Sequence, residues 1–420
     1  MKWLIDLAIR NIKRNKRRTI LAISSITLSV ALAIFLNGFI NGMLDNLVKN
    51  VTKNETGHIR ISTKEFAERY RFMPVDEIIY NPQIIKSIIN NIPELKKEII
   101  IITERITFGT LLSNGPNSIS AIGIAGDPET EKELLNLNRS IIEGRYIENN
   151  NEVIIGKKAA ASLNLNLGDS LGILTQGTDY SLRFKNFKIV GFFETGLKQL
   201  DETFFQIPLV DVKTFLRADN GAQQILIMMR DYTKAFKTAK IIKDALQAKK
   251  DKLPEFEEIA IKSWNEIGDY PSLISMMENI YGWIYVVILF LGAFIITNIL
   301  MMIILERRRE IGILKAMGIK GKEILFMFTA EGAVIGTIGS FIGTVIGFSL
   351  CLIFSIYGID FSAAMANINF PADPIYYSKV NPAAILTMFL LGVFVAVVVS
   401  ILPSRKAAKM NVVDAIKSVI

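Results

Sequence analysis

Four uncharged runs punctuate this chain. Residues 19–40 make 22 positions without a charge, 280–305 make 26, 332–359 make 28 and 380–404 make 25. A helix crosses the hydrocarbon core in about 20 apolar residues, so each run predicts a membrane span. Roughly 240 residues separate the first run from the second, and there the pattern changes to short alternating segments mixed with amphipathic ones. Alternation predicts strands at 58–62, 99–104, 119–124, 152–155, 170–174, 187–193, 204–207, 225–229 and 259–261. Helical spacing predicts helices at 82–91, 157–163, 210–216 and 233–249. Such a stretch is long enough for an α+β domain with its own core, as one body or as two subdomains. The expected fold class is a membrane protein with four transmembrane helices and a large α+β domain inserted between helices 1 and 2.

Charge orients the spans. Apolar residues make up 50% of the chain and charged residues 21%, which requires the two to be segregated along it. Segments 1–18, 306–323 and 404–420 together hold 17 basic and 5 acidic residues, net +12, whereas the whole chain is +8 and the remainder −4. Cytoplasmic flanks retain Lys and Arg. Both termini and the loop between spans two and three are therefore placed in the cytoplasm, and the large domain outside. The basic balance then reflects topology, and no nucleic-acid partner is expected. Trp3, Leu4, Leu7 and Ala8 recur at helical spacing ahead of a basic cluster, as in an amphipathic elbow helix; a merely basic tail fits equally. The first run follows a basic stretch as a signal peptide would, yet it is long for one and lacks a small-residue cleavage pattern, so it reads as a retained anchor. The single cysteine, Cys351, lies in the third run, so the exported domain is expected to be stable without disulfides.

Residues 306–318 read ERRREIGILKAMG, a charged, helix-forming segment between two apolar runs. Glu306, Arg309 and Glu310 fall on one helical surface, Ile311, Leu314 and Gly318 on another. The segment is either a topology-setting loop or a helix with a face free for a partner. Span three carries Gly332 and Gly336, then Gly339, Gly343 and Gly347, a ladder that lets helix backbones approach closely. It serves packing, within the chain or in a dimer, or a surface that slides during transport. Glu331 either pairs with a loop arginine or snorkels to water. Asn298 predicts an interhelical hydrogen bond. Tyr281, Trp283, Tyr285, Tyr376 and Tyr377 suit an aromatic belt, and Pro371 and Pro374 predict an ordered loop with little secondary structure.

The usual catalytic signatures are missing. There is no G-x-x-x-x-G-K-S/T phosphate loop, no G-x-S-x-G elbow and no H-E-x-x-H. The only histidine, His58, sits in the alternating stretch TGHIRI and reads as structural. One His and one Cys, on different sides of the proposed topology, exclude a His/Cys metal site. No catalytic residue, metal or cofactor is expected on this chain.

With its four spans and large outer domain, ERRREIGILKAMG resembles the FtsX/MacB/Lol class of ABC-transporter permeases. IKGKEILFMFTAEGAVIGTIGSFIGTVIG at 319–347 and PSRKAAKMNVVDAIK at 403–417 resemble the other signatures of that class. NGF at 37–39, TGHIRI at 56–61, EVIIGKKAAASLNLNLGDSL at 152–171 and FKIVGFFETGLKQLDETFFQIPLVDVKTFL at 187–216 look like lipoprotein-releasing permeases of the LolC/LolE kind. The resemblance implies a cytoplasmic elbow helix over 1–18, spans at 19–42, 280–305, 324–357 and 381–403, and a MacB-like periplasmic core domain over 43–279. It further implies a coupling helix and loop over 306–323, a periplasmic loop over 358–380 and a cytoplasmic tail over 404–420.

It also implies a non-catalytic subunit of the bacterial inner membrane. A separate cytoplasmic ATPase, which holds the ATP and Mg, would dock on Glu306, Arg307, Arg308, Arg309, Glu310, Ile311, Gly312, Leu314, Lys315, Ala316, Met317 and Gly318. A second permease subunit would complete a homodimer or heterodimer within the membrane lipid. The implied cargo is an acylated lipoprotein, taken from the outer leaflet and passed to a periplasmic carrier. A carrier-facing loop would fall at Thr175, Gln176, Gly177, Thr178, Asp179 and Tyr180. That loop is short and proline-free here, unlike the projecting loop of the carrier-binding Lol permease, which favours a cargo-receiving partner or a homodimer. A MacB-like efflux permease and an FtsX-like regulator of a periplasmic cell-wall hydrolase are the alternatives.

Overall fold

The computed structural model describes residues 16–135, 137–195, 198–250, 256–361, 375–412 and 415. The apolar positions of the expected elbow helix, Pro371, Pro374 and the end of the tail lie outside the described residues. The chain divides into a helical unit, Met1–Asp45 with Ile274–Ile359 and Ile375–Ile420, and a sheet unit, Asn46–Leu273 with Asp360–Pro374.

Helix α1 spans Lys16–Val51 and closes in a single π turn, Thr52–Thr56, where the Gly57 amide donates to the Thr52 carbonyl at 2.8 Å. Gly57 sits at φ 63, a conformation glycine adopts without the Cβ penalty. Then follow β1 (Ile59–Thr63), α2 (Lys64–Arg69), β2 (Ile79–Tyr80), α3 (Pro82–Asn90), β3 (Ile99–Ser113), β4 (Ser118–Gly126), α4 (Pro128–Leu135), β5 (Ile141–Gly144) and β6 (Glu152–Gly156). Next come α5 (Lys157–Ser162), β7 (Ser170–Gln176), β8 (Leu182–Phe193), α6 (Lys198–Thr203), β9 (Phe204–Pro208), α7 (Leu209–Leu216), β10 (Gly221–Ala222), β11 (Gln224–Met229), α8 (Ala235–Gln247) and β12 (Ile259–Ser263). All nine strands expected from alternation are present. The strands β2, β5 and β10 and the helices α2, α4 and α6 are additions that the pattern did not reveal.

Ten of these strands form one sheet in the order β12-β1-β11-β3-β4-β9-β6-β8-β5, with β7 bridging β3 and β8. The pairs β4–β9 and β6–β8 are parallel and the others antiparallel. β3 is the spine. Its first half pairs with β11 through Ile99–Arg105, and its far end pairs with β7 through Leu111–Ser113. The sheet therefore carries two cores. Ile59, Ile61, Ile225 and Ile227 pack under α3 and α8 with Ile85, Ile89, Ile242 and Leu246. Ile106, Phe108, Ile155, Phe187 and Phe205 pack with Leu163, Val212 and Leu216 of the α5 and α7 segments. The domain, expected as one body or as two subdomains, is one sheet with two cores. β11, QILIMM, is buried at every position, so both of its faces are covered.

His58 is a structural residue. Its Nδ1 accepts the Met229 amide at 2.9 Å and its ring lies 6.0 Å from that of Tyr232. Burial lowers its pKa from 6.5 to about 4. Arg105 and Glu131 form a fully buried bidentate pair, Nε to Oε1 at 2.9 Å and Nη2 to Oε2 at 2.6 Å. Arg105 Nη1 also donates to the carbonyl of Asn54 in the π turn at 2.9 Å. β3 continues past residue 104, where the predicted strand ended, and this pair accommodates the charge of Arg105 inside it.

In the helical unit, α9 (Tyr270–Glu306), α10 (Arg308–Ala316), α11 (Gly321–Tyr357), the two-stranded β13 (Ile359–Asp360) with β14 (Ile375–Tyr376), and α12 (Pro382–Ala408) complete the chain. Helices α1, α9, α11 and α12 are each long and apolar enough to cross a membrane. They outrun the apolar runs: α1 persists to Val51, α9 begins at Tyr270 and α11 at Gly321. Charges at their ends do not interrupt the backbone ladder.

Candidate functional site

The segment 306–318 folds as a short helix, held on one side and open on the other. Arg307, at φ −90 and ψ 12, departs from helical values and separates α9 from α10. The hydrogen-bond ladder nevertheless passes through it, with the Arg307 amide donating to Ile303 at 3.1 Å and the Ile311 amide to Arg307 at 2.9 Å. At the other end, the Gly318 amide donates to Lys315 at 3.0 Å and the Ile319 amide to Leu314 at 3.2 Å. With Gly318 at φ 93, that is the paired closure of a Schellman motif, and it needs a glycine there.

The inner side of α10 joins a small core. Ile311, 1% exposed, packs with Ile304, Ile324, Met327, Phe328 and Ala407, and Leu314 and Ile319 lie against the same cluster. Lys315 points inward too, and its Nζ donates to the carbonyls of Ala408 at 3.0 Å and Met410 at 2.6 Å. The last carbonyls of a helix lack intrahelical partners, so a lysine satisfies the end of α12 and ties it to α10. Gly312 is buried on this side as well.

The outer side is exposed. Arg309, Ile313, Ala316, Met317 and Gly318 face away from the helical unit, with Ile313 at 47% and Met317 at 76% exposure. Arg309, Ile313 and Met317 stand at four-residue spacing and share one stripe. Of the positions the resemblance nominated, Ile311, Gly312, Leu314 and Lys315 are thus turned to the chain's own interior. Ile313, which it did not nominate, belongs to the open stripe. The i, i+4 spacing puts Arg309, Ile313 and Met317 on one stripe but does not by itself say that the stripe faces outward.

Arg307 is 7% exposed. Its Nε reaches Glu310 Oε2 at 3.0 Å and its Nη1 reaches Glu331 Oε2 at 3.5 Å, while its guanidinium lies 5.5 Å from the Phe328 ring. Of the two readings of Glu331, pairing with a loop arginine is the one the structure shows; its carboxylate is buried.

The glycine ladder packs within the chain. A Cβ on Gly332 would stand 2.5 Å from Ser400 Cβ, and one on Gly336 would stand 2.5 Å from Ala396 Cβ, both on α12. Gly339, Gly343 and Gly347 meet α1 instead, at Ile26, Thr27 and Ala31, with 2.8, 2.7 and 2.9 Å to the nearest atom. The ladder therefore serves two faces of α11, the first pair for α12 and the last three for α1. Thr27 Oγ1 adds a hydrogen bond to the Gly339 carbonyl at 3.1 Å. Two expectations need correction. Asn298 is exposed on α9 and makes no hydrogen bond to another helix among the described residues. Tyr376 is buried, packed edge-on to Phe39 at 6.2 Å, so it is a core residue and not part of a belt.

The nominated carrier-facing positions divide. Thr175 and Gln176 end strand β7, and Thr175 is buried, donating to the Gly109 carbonyl at 2.8 Å. Gly177, Thr178, Asp179 and Tyr180 form the tight turn of the β7–β8 hairpin. Asp179 bonds Ser181, Arg183 and Arg217, and the Ser181 hydroxyl, with help from Arg183, holds its carboxyl well below the usual range. The Tyr180 hydroxyl donates to Asp76 at 2.7 Å. The turn is pinned to the sheet unit rather than projecting from it. Among the described residues no three His, Cys, Asp or Glu side chains converge as a metal centre requires.

Four spans with an α+β domain between the first and second define the architecture of an ABC-transporter permease. The chain matches the family profile of the MacB-like periplasmic core domain over residues 19–245, more than half its length, and that of the FtsX-like permease C-terminal over 282–412. It belongs to the FtsX/MacB/Lol type of ABC-transporter permeases. It is 22% identical over 277 residues to the lipoprotein-releasing system transmembrane protein LolC of Xylella fastidiosa (strain 9a5c), covering 63% of this chain. The chain spans 64% of that relative's own length. It is 24% identical over 287 residues to the macrolide export ATP-binding/permease protein MacB of Haemophilus ducreyi, covering 66% of this chain and 38% of that protein. The crystal structure of the periplasmic region of MacB from Actinobacillus actinomycetemcomitans aligns at a TM-score of 0.36 and 16% identity, over 55% of this chain and 96% of that one.

Proposed function

We propose that this chain is the permease subunit of an ABC transporter that extracts lipoproteins from the outer leaflet of the bacterial inner membrane. In this reading a separate ATPase docks on α10, and its ATP-driven closure moves the spans and the periplasmic domain. Both termini and α10 are cytoplasmic, and the chain pairs with a second permease subunit. The observation that carries the reading is the open stripe of α10, where Ile313 and Met317 stand exposed beside Arg309 on a helix whose other side is anchored. Exposed apolar side chains next to a guanidinium make an effective contact surface for a protein partner. The similarity to LolC supports a lipoprotein cargo. Acyl chains are held by area burial, about 25 cal/mol per Å², which requires no reactive residue.

The test is the double substitution Ile313→Asp with Met317→Asp in the full chain. The ATPase that copurifies with the unaltered protein is expected to be lost while the variant remains in the membrane; retention of the ATPase at the original level would refute the docking stripe. Depletion of the protein is expected to leave mature lipoproteins trapped in the inner membrane. The similarity to MacB favours a second reading, efflux of peptides or small molecules. Normal lipoprotein sorting with raised sensitivity to toxic compounds would decide for it, and filamentation with normal sorting would decide for an FtsX-like regulator.

A further inference from the structure

We propose that Arg307 is the positioning residue that latches α10 to α11, so that a push on α10 turns span three rather than bending the corner. The proposal rests on the docking reading above. Arg307 occupies the one residue between α9 and α10, where the backbone leaves helical values. A corner of this kind is where force entering α10 would be absorbed. Three contacts oppose that. Nε holds Glu310 on α10 at 3.0 Å, Nη1 holds Glu331 on α11 at 3.5 Å, and the guanidinium lies 5.5 Å from Phe328, one turn before Glu331 on the same helix.

The apolar cluster beneath α10 brings the two helices together but does not fix their angle, because burial of apolar area has no direction. A planar guanidinium between two carboxylates does have direction, since its donors leave in set directions. Burial strengthens the effect: Arg307 is 7% exposed and Glu331 2%, so water competes weakly for either charge. The corner, the fork and the two carboxylates on different helices together describe a joint stiffened by one side chain. Glu310→Gln releases the α10 arm of the fork and Glu331→Gln the α11 arm, and neither adds bulk.

Spin labels test this in the full chain without its ATPase. Ala316→Cys on α10 and Ile338→Cys on α11, both exposed, are introduced with Cys351→Ala and the protein is placed in lipid nanodiscs. The interlabel distance distribution is expected to be narrow and single. Glu331→Gln should at least double its width, and Arg307→Lys, which keeps the charge but not the fork, should widen it partially. The exchange Arg307→Glu with Glu331→Arg should recover part of the narrowing. An unchanged width in Glu331→Gln and in Arg307→Gln overturns the latch, as does an exchange no narrower than Arg307→Gln. In the complex with the copurifying ATPase, Glu331→Gln is expected to retain ATPase binding and ATP hydrolysis while lipoprotein released per ATP falls about tenfold. Retained coupling would overturn the latch while leaving docking intact. Failure of the unaltered chain to bring down any ATPase would overturn the docking reading, whereas the distance measurement would still judge the latch.

Discussion

Lowering the pH from 8 to 4.5 is expected to destabilise the sheet unit through His58 alone. Its imidazole is 6% exposed, and its Nδ1 accepts the Met229 amide, so the neutral form with the proton on Nε2 is the one the fold holds. Burial lowers its pKa from 6.5 to about 4. The folded value lies below the unfolded one, so between them the unfolded chain binds more protons and stability falls as pH is lowered. At about 1.4 kcal/mol per pKa unit, roughly 2.5 kcal/mol is lost by pH 4.5 and about 3.5 in full. The window is clean on the acid side. Glu152, which Arg145 and the Glu148 and Asn149 amides hold down to about 2, stabilises the fold above about pH 4.5 and loses that contribution only below it. Urea unfolding of the full chain in detergent, at a series of pH values, measures the loss. Trp264 reports on it, since its amide donates to the His58 carbonyl at 3.0 Å and its ring meets that of Tyr232 edge-on at 5.8 Å. His58→Asn supplies the control, because Asn Oδ1 lies close to the position of Nδ1 and does not titrate. The variant should be flat between pH 6.5 and 4.5. Equal slopes in the two proteins, or a measured His58 pKa near 6.5 in the untagged protein, would refute the reasoning.

Two further outcomes follow from the packing. Gly336→Leu drives a side chain into Ala396, where even a Cβ would stand 2.5 Å away, and should lower the stability of the detergent-solubilised protein by about 1–3 kcal/mol; Gly282→Leu, at a position with open space, should change thermal melting little. Glu131→Gln strands the buried Arg105 charge and should cost about 3–5 kcal/mol in urea unfolding, while Arg105→Met with Glu131→Leu should recover more than half of that.

How much of the site was legible differs residue by residue. That 306–318 forms a short helix between two spans follows from its composition and from the apolar runs on either side. Which of its positions face outward did not follow, because Ile311, Ile313 and Met317 are all apolar and periodicity alone leaves the rotation of so short a helix open. The rotation is set by Lys315 reaching the end of α12 and by Ile311 entering a cluster drawn from α9, α11 and α12. Gly177, Thr178, Asp179 and Tyr180 form a turn between two strands that the pattern predicts, but its closure by Arg217, 38 residues from Asp179, depends on a contact the local sequence does not encode.

The sequence by itself determined the four spans, the charge asymmetry across them, the α+β character of the inserted domain and the glycine spacing of the third span. Each of these is a property of neighbouring residues and the solvent they need, so it is written locally. Tertiary structure decided that Gly332 and Gly336 serve α12 while Gly339, Gly343 and Gly347 serve α1, that β3 runs on through a buried arginine, and that Arg307 stands between two carboxylates. Those outcomes depend on where the chain returns to itself. Glu331 is 24 residues from Arg307 and Glu131 is 26 from Arg105, and in each case burial is tolerable only because the partner arrives.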